Sequence, residues 1–190
     1  MDKNKIKNIP VIGEFVVNTI NRLKGRSPFS TSNNYWEERY KKGGNSGAGS
    51  YNNLAEFKAE VLNQFVAANN VQTVIEFGCG DGNQLRYFNF KNYLGFDVSE
   101  TAVAICTEKY KADSSKQFKL VKNYSNDKAD LVLSLDVIYH LVEDAVFQAY
   151  MKQLFSASEK YVIVYSSNFD DSKNVEPHVK HRKFSDWVEQ

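Results

Sequence analysis

Cysteine is scarce in this chain: two in 190 residues, Cys79 and Cys106. That excludes a disulfide framework and makes a reducing cytoplasm the expected setting. An excess of either charge is also missing. Lys and Arg number 24 against 23 Asp and Glu, for a formal net charge of +1. No global basic field is there to attract nucleic acid. No apolar run approaches the ~20 residues needed to span a bilayer, and no basic, apolar, small-residue leader pattern is present. His178 and His181 stand three apart with no cysteine near them, a weak pattern for a metal, and none is expected. Two phosphate-binding signatures are absent as well: there is no G-K-[ST] and no G-x-G-x-x-G. The length fits one domain with a sizeable core. Aromatics make up 14%, which suits ligand stacking and ordinary core equally.

The stretch that organises the chain is Thr73-Val74-Ile75-Glu76-Phe77-Gly78-Cys79-Gly80-Asp81-Gly82-Asn83-Gln84-Leu85. Its β-branched, apolar opening reads as a buried strand. Glycines two apart follow, and Asn83 to Phe88 can then start a helix. Strand, glycine turn and helix make the crossover unit of a nucleotide-binding α/β sheet. Without Cβ the backbone can bend sharply and let a ligand lie against it. Glu76, at the strand end, would repel a pyrophosphate but suits a cationic amine or sulfonium. The stretch Lys91 to Ser99 reads as a second strand that ends in an acid, Asp97, 19 residues beyond Gly78. That offset is near the ~20 at which an acid meets ribose hydroxyls in related folds. A carboxylate can accept from both hydroxyls of a cis-diol. The other reading of Asp97, a helix N-cap, is filled better by Ser99.

The run Glu76-Phe77-Gly78-Cys79-Gly80-Asp81-Gly82 resembles motif I of the class I methyltransferases that use S-adenosylmethionine. The resemblance covers roughly residues 35–185. It implies a Rossmann-like α/β fold, with a mostly parallel sheet and helices on both faces. It also implies that Glu76, Gly78, Cys79, Gly80, Gly82 and Gln84 hold the donor, with Asp97 and Val98 at its ribose. Asp130 to Leu141 is similar to motif IV of the family. A buried strand ends near Leu135, and Asp136, Tyr139 and His140 follow where donor and acceptor would meet. Asp136 and His140 are the candidate catalytic residues. His140 can serve as a general base because a histidine is neutral at working pH; a structural histidine capping the next helix is the equal alternative. Asn123 and Tyr124 fall where the family places residues beside the adenine, and a plain turn reads equally well there.

Upstream, Tyr35 to Gly44 and the glycine-rich Asn45 to Tyr51 look like the N-terminal lid of small-molecule methyltransferases. Arg39, Ser50 and Tyr51 are the candidate donor contacts on it. A mobile surface loop is the alternative. Leu54 to Ala68 reads as a helix whose broad apolar face comprises Leu54, Phe57, Val61, Leu62, Phe65 and Val66. Thr101 to Tyr110 and Val142 to Ser156 read as further helices. Gln117 to Val121 and Lys160 to Ser166 read as the third and fifth strands.

Two domains are expected: an N-terminal helical extension over 1–34 and a methyltransferase domain over 35–190. In the first, Ile9, Ile12, Val16, Ile20 and Leu23 form one helical stripe, with six basic residues against two acids before residue 31. Residues 1–30 can lie on a membrane surface, but packing or partner docking is the favoured reading. Only five strands are readable, so the last strands of the family fold are expected to be lacking, by truncation or by a minimal fold. The expected function is methyl transfer to a small-molecule acceptor. The segment from Glu176 to Phe184, with Trp187, resembles methyltransferases of sugar-polymer biosynthesis, which makes a saccharide hydroxyl the first acceptor choice. A donor-binding inactive module and another nucleotide-using α/β enzyme are the rivals.

Overall fold

The structure, a computed structural model, describes residues 29–171 and 176–190. The chain divides into two compact units, Met1–Ser30 and Thr31–Gln190. The amphipathic helix expected in the first 30 residues lies outside the described residues. All that follows concerns the second unit.

Its centre is a five-stranded sheet in the order β3-β2-β1-β4-β5. The strands are β1 (Thr73–Phe77), β2 (Asn92–Asp97), β3 (Lys116–Leu120), β4 (Ala129–Leu135) and β5 (Ser158–Tyr165). Every pairing is parallel; Glu76 of β1 lies between Gly95 of β2 and Leu133 of β4. All seven residues of β4 are buried, as a central parallel strand covered on both faces requires. Its side chains alternate between two cores. Leu131 and Leu133 join Leu62, Val66, Val74 and Cys106 on one face. Val132 joins Ile75, Phe77, Phe147, Met151 and Leu154 on the other. Helices α2 (Asn52–Ala68) and α3 (Glu100–Lys109) supply the first core, and α4 (Asp144–Ser156) supplies the second. This is the Rossmann-like architecture expected from the sequence. Among the described residues no helix is long and apolar enough to cross a membrane.

Four details depart from expectation. First, the composition of the Ser/Thr/Asn cluster from Ser27 to Asn34 reads as the end of the N-terminal segment, yet helix α1 (Ser32–Lys41) starts inside it. Thr31 caps it by accepting the Asn34 N–H at 3.2 Å, and Ser/Thr/Asn clusters favour N-caps as much as loops. Second, no α-helix follows the glycine turn. Only a 3₁₀ turn, Gln84–Tyr87, forms there. Residues 78–91 are all that separate β1 from β2, and the turn itself consumes the first of them. Buried Phe88 and Phe90 then stack at 4.6 Å. Asn63 of α2 grips this segment from above, donating to Tyr87 O and accepting the Asn89 N–H.

Third, α2 is rotated from its expected face. Leu54, Phe57 and Val61 are about half exposed, while Ala55, Lys58, Ala59, Leu62 and Val66 are buried. Fourth, the polar stretch 168–183 after β5 reads as an acceptor-binding or solvated segment, but its described residues are tied to the fold. It folds back to the start of α4, where the Arg182 guanidinium donates to Leu141 O, Val142 O and Asp144. Short helix α5 (Ser185–Val188) follows, and Trp187 packs on the α4 core. Among the described residues β5 pairs only with β4 and forms a sheet edge.

Candidate active site

The carboxyl ends of β1, β2 and β4 open on one cavity of about 410 Å³, within the ~300–1,000 Å³ range of small-molecule sites. Its first wall is the glycine turn. Gly78 and Gly80 have φ of +88° and +57°, which an L side chain rarely adopts. Space forbids a side chain as well: a methyl on Gly78 would strike Val137, and one on Gly80 would strike Ser46 and Tyr40. Asp97, at the end of β2, braces the bend. Its carboxylate accepts the Gly80 N–H and the Ser99 N–H, each at 2.9 Å. Burial pushes its carboxyl up to about 6, against the pull of those hydrogen bonds. Ser99 in turn caps α3, so the acid and the cap are separate residues. Asp97 and Val98 both line the cavity.

The second wall is the lid. Trp36 and Tyr40, four apart on α1, present one helical face to the cavity, and Ser46 and Ser50 add the loop. Asp81 fastens this lid to the glycine turn. It accepts from the Ser46 N–H at 3.0 Å, the Tyr51 hydroxyl at 2.7 Å and the Asn83 N–H at 2.9 Å. Burial alone would raise its carboxyl, but these donors outweigh it and hold the group below the usual range. Helix α1 is anchored from the other side. Glu37 accepts from the Ser99 hydroxyl at 2.5 Å and the Thr101 hydroxyl at 2.9 Å. Desolvation opposes its ionisation, yet these bonds hold it down at about 2.

The third wall is the exit of β4: Leu135, Asp136, Val137 and His140. Asp136 has a φ of +59°. Its N–H donates to Tyr165 O at 2.8 Å. Its carboxylate accepts from Lys58 Nζ at 2.6 Å and from the Tyr139 hydroxyl at 3.2 Å. His140 lies edge-on to Trp36, with ring centres 4.9 Å apart. Burial lowers its pKa to about 4, so it is neutral at pH 7. His140 Nδ1 lies 3.1 Å from the His178 carbonyl. A carbonyl can only accept, so Nδ1 carries the proton and Nε2 keeps its lone pair. The far end of the cavity is mainly apolar, with Val121, Leu141, Val146 and Tyr150.

Of the residues singled out from sequence, Ser50, Gly78, Gly80, Asp97, Val98, Leu135, Asp136 and His140 meet at this cavity. The others point elsewhere. Glu76 is buried on the α2 face of the sheet, accepting from the Tyr93 hydroxyl at 2.6 Å. Burial pushes its carboxyl up to about 7. Arg39 is spent on its own loop, donating to Asn45 O at 2.6 Å. Tyr51 serves Asp81 rather than the cavity. Cys79 lies against Gly95, and Gly82 against Cys106 and Tyr110. The Gln84 amide donates to Ala55 O at 2.8 Å. Asn123 is exposed in the turn after β3, and Tyr124 packs in the core against Phe77 and Phe96. Trp36, Tyr40, Ser46, Tyr150 and Lys58 were not foreseen as site residues. The four-residue spacing of Trp36 and Tyr40 was available as a signal, as was a lysine within an apolar helical pattern.

Comparison with known families decides the identity. The family described as "Methyltransferase domain" matches residues 51–188, well over half of the chain. The chain belongs to this methyltransferase family. With the family come the enzyme class and the donor, S-adenosylmethionine. No curated protein sequence matches the chain. Solved structures do. The N-methyltransferase NodS from Bradyrhizobium japonicum is 16% identical, with a TM-score of 0.57 over 72% of this chain and 82% of that one. The methyltransferase domain of bacterial CtHen1 is 22% identical, with a TM-score of 0.55 over 72% and 82%. An O-methyltransferase family protein from Burkholderia thailandensis is 13% identical, with a TM-score of 0.56 over 71% and 48%. At these identities the likeness establishes the fold. The methyltransferase's acceptor has to be argued from its own cavity.

Proposed function

We propose that this methyltransferase transfers the methyl of S-adenosylmethionine to a hydroxyl of a small polar acceptor, a saccharide or related metabolite. The observation that carries the reading is His140: neutral, half-buried beside Trp36, tied through Nδ1, and bordering the cavity with Nε2 unshared. The bound donor supplies an electrophilic methyl on a sulfonium. The residues present suit it. A side-chain-free bend at Gly78 and Gly80 leaves room that a Cβ would fill. Each oxygen of Asp97 accepts one backbone N–H and keeps capacity for a ribose hydroxyl. The ionisable groups on the walls are the acids Asp97 and Asp136, the neutral His140 and the neutral phenols of Tyr40 and Tyr150. That balance favours a cationic donor and disfavours an anionic acceptor.

In this reading the protein works mainly by placement and exclusion of water. Trp36, Tyr40 and Ser46 cover the bend, and Asp81 holds the cover down. His140 Nε2 takes the acceptor proton. An alcohol oxygen becomes strongly acidic only as its new bond to carbon forms, so a base of low pKa suffices if the proton leaves late. The two buried free thiols favour a cytoplasmic setting, and the near-zero charge favours a small molecule over nucleic acid. The test is incubation with S-adenosylmethionine and a panel of uncharged, hydroxyl-bearing saccharides and related metabolites, following formation of S-adenosylhomocysteine. Turnover on a member of the panel is the expected result. Donor binding with no turnover on any acceptor would favour an inactive donor-binding module instead. Binding of NAD alone would discard the reading.

A further inference from the structure

Among the described residues, Lys58 is the one lysine or arginine that is buried. It sits in the middle of α2, flanked by buried Ala55, Ala59 and Leu62. An apolar side chain of similar length would pack there without the several kcal/mol that desolvating an ammonium costs. The fold alone does not explain a lysine at this point. Its surroundings do suggest a use. Nζ lies 2.6 Å from Asp136 Oδ2 and 5.3 Å from the centre of the Tyr165 ring. Asp136 holds a left-handed backbone conformation, which costs a non-glycine residue about 1 kcal/mol or more and persists only when its surroundings enforce it. Those surroundings include Lys58 on one carboxylate oxygen, Tyr139 on the other, and Tyr165 O on the backbone N–H. The lid is fitted to the same group: a methyl on Gly49 would come within 2.5 Å of Asp136 Oδ2. Asp136 borders the cavity, whereas Lys58 stands behind it.

We propose that Lys58 is a positioning residue that, from outside the cavity, fixes the strained Asp136 carboxylate on the wall beside His140. This rests on the methyltransferase reading above. A fixed anion there favours the charged sulfonium of the donor over the neutral thioether of the spent product. The site would therefore retain substrate and release product. The titratable groups that face the Lys58–Asp136 pair are Tyr139 and His140 after β4, Tyr165 of β5 and Glu76 of β1. The test has to separate Asp136 from Glu76.

The experiment is calorimetry of S-adenosylmethionine and S-adenosylhomocysteine at pH 8 and pH 6, read as the ratio of their two dissociation constants. The ligands share adenine, ribose and amino acid, so the ribose hydrogen bonds of Asp97 cancel in the ratio, and what its charge adds at the sulfur is common to native protein and variants. For the native protein the ratio should be the same at both pH values. In Lys58→Met the unpaired carboxylate takes up a proton as pH falls, and the preference for the sulfonium should drop about tenfold from pH 8 to pH 6. In the double variant Lys58→Met/Asp136→Asn the preference should be low at both. Lys58→Arg, which keeps the charge, should restore the native pattern, and it serves as the test if Lys58→Met does not fold. An unchanged ratio in Lys58→Met would reduce the pair to a structural contact and overturn the proposal. So would a pH dependence that survives in the double variant, since Glu76 would then be its source. A folded Lys58→Arg that loses the flat ratio would do the same. Native protein that binds neither ligand would remove the methyltransferase reading and this proposal with it.

Discussion

Replacing Glu76 by glutamine should stabilise the protein at pH 8 and destabilise it by about 1–2 kcal/mol at pH 4. Glu76 is 4% exposed, and burial pushes its carboxyl from 4.5 to about 7. The Tyr93 hydroxyl and the field of Lys58 pull the other way without cancelling the burial. Because the folded value is raised, its contribution to stability is complete below pH 4.5. It is lost as the unfolded chain ionises and the folded one keeps its proton, up to about pH 7. Above that, the linkage cost is constant at roughly 3 kcal/mol. Glutamine removes the charge but keeps an oxygen for the Tyr93 hydroxyl. It adds an NH₂ with no acceptor in place, which offsets about 1–2 kcal/mol. The net expected gain at pH 8 is about 1–2 kcal/mol. Urea denaturation followed by the fluorescence of Trp36 and Trp187 measures it, at pH 8 and pH 4. The native protein should gain stability from pH 8 to pH 6.5, and the variant should be flatter across that range. Between pH 6.5 and 4 the depressed His140 works in the opposite sense, so the upper window is the diagnostic one. A variant less stable than native at pH 8 would refute the reasoning. It would mean that the carboxylate is held ionised by Lys58 rather than penalised by burial.

Three further outcomes follow from the site. His140→Ala should bind S-adenosylmethionine within threefold of native, yet slow methyl transfer to the acceptor found in the panel by more than about tenfold; an unchanged rate removes the base. Asp97→Asn should weaken S-adenosylmethionine and S-adenosylhomocysteine alike by about tenfold or more in calorimetry. In the native protein, affinity should fall as pH drops through about 6, a limb the variant lacks. Glu37→Ala frees the Ser99 and Thr101 hydroxyls that hold α1 on α3. Limited proteolysis should then cut in residues 42–51 faster than in the native protein, and equal rates would show that the Glu37 contacts do not hold the lid.

The fold was legible because its signals are local. β1 and β2 are short runs of the right period, and each ends in punctuation: glycines after Phe77, an acid and a cap after Phe96. Strand order then follows from connection length and handedness. The binding bend was legible for the same reason, since Gly78, Gly80 and Asp97 are placed by chain geometry within one crossover unit. Where local signals failed, chain length or a partner far away in sequence decided the matter. The missing helix after Asn83 is a matter of length, since residues 78–91 must supply both a glycine turn and the entry to β2.

Glu76 illustrates the harder limit. Its position in the motif says that it ends β1, and the period of two says which sheet face it takes, but not what covers that face. The cover is Tyr93 from β2 and the buried side of α2. The buried side of α2 could not be read from hydrophobicity, because Leu54, Phe57 and Val61 outscore Ala55, Lys58 and Ala59 on any apolar scale and yet are the exposed ones. Small residues at 55 and 59 let the helix lie close to the glycine turn segment, with Ala55 O accepting the Gln84 amide. That close approach carries Lys58 to Asp136. The same rotation of one helix accounts for the exposed apolar stripe, the buried carboxyl with a raised pKa and the ion pair behind the cavity wall.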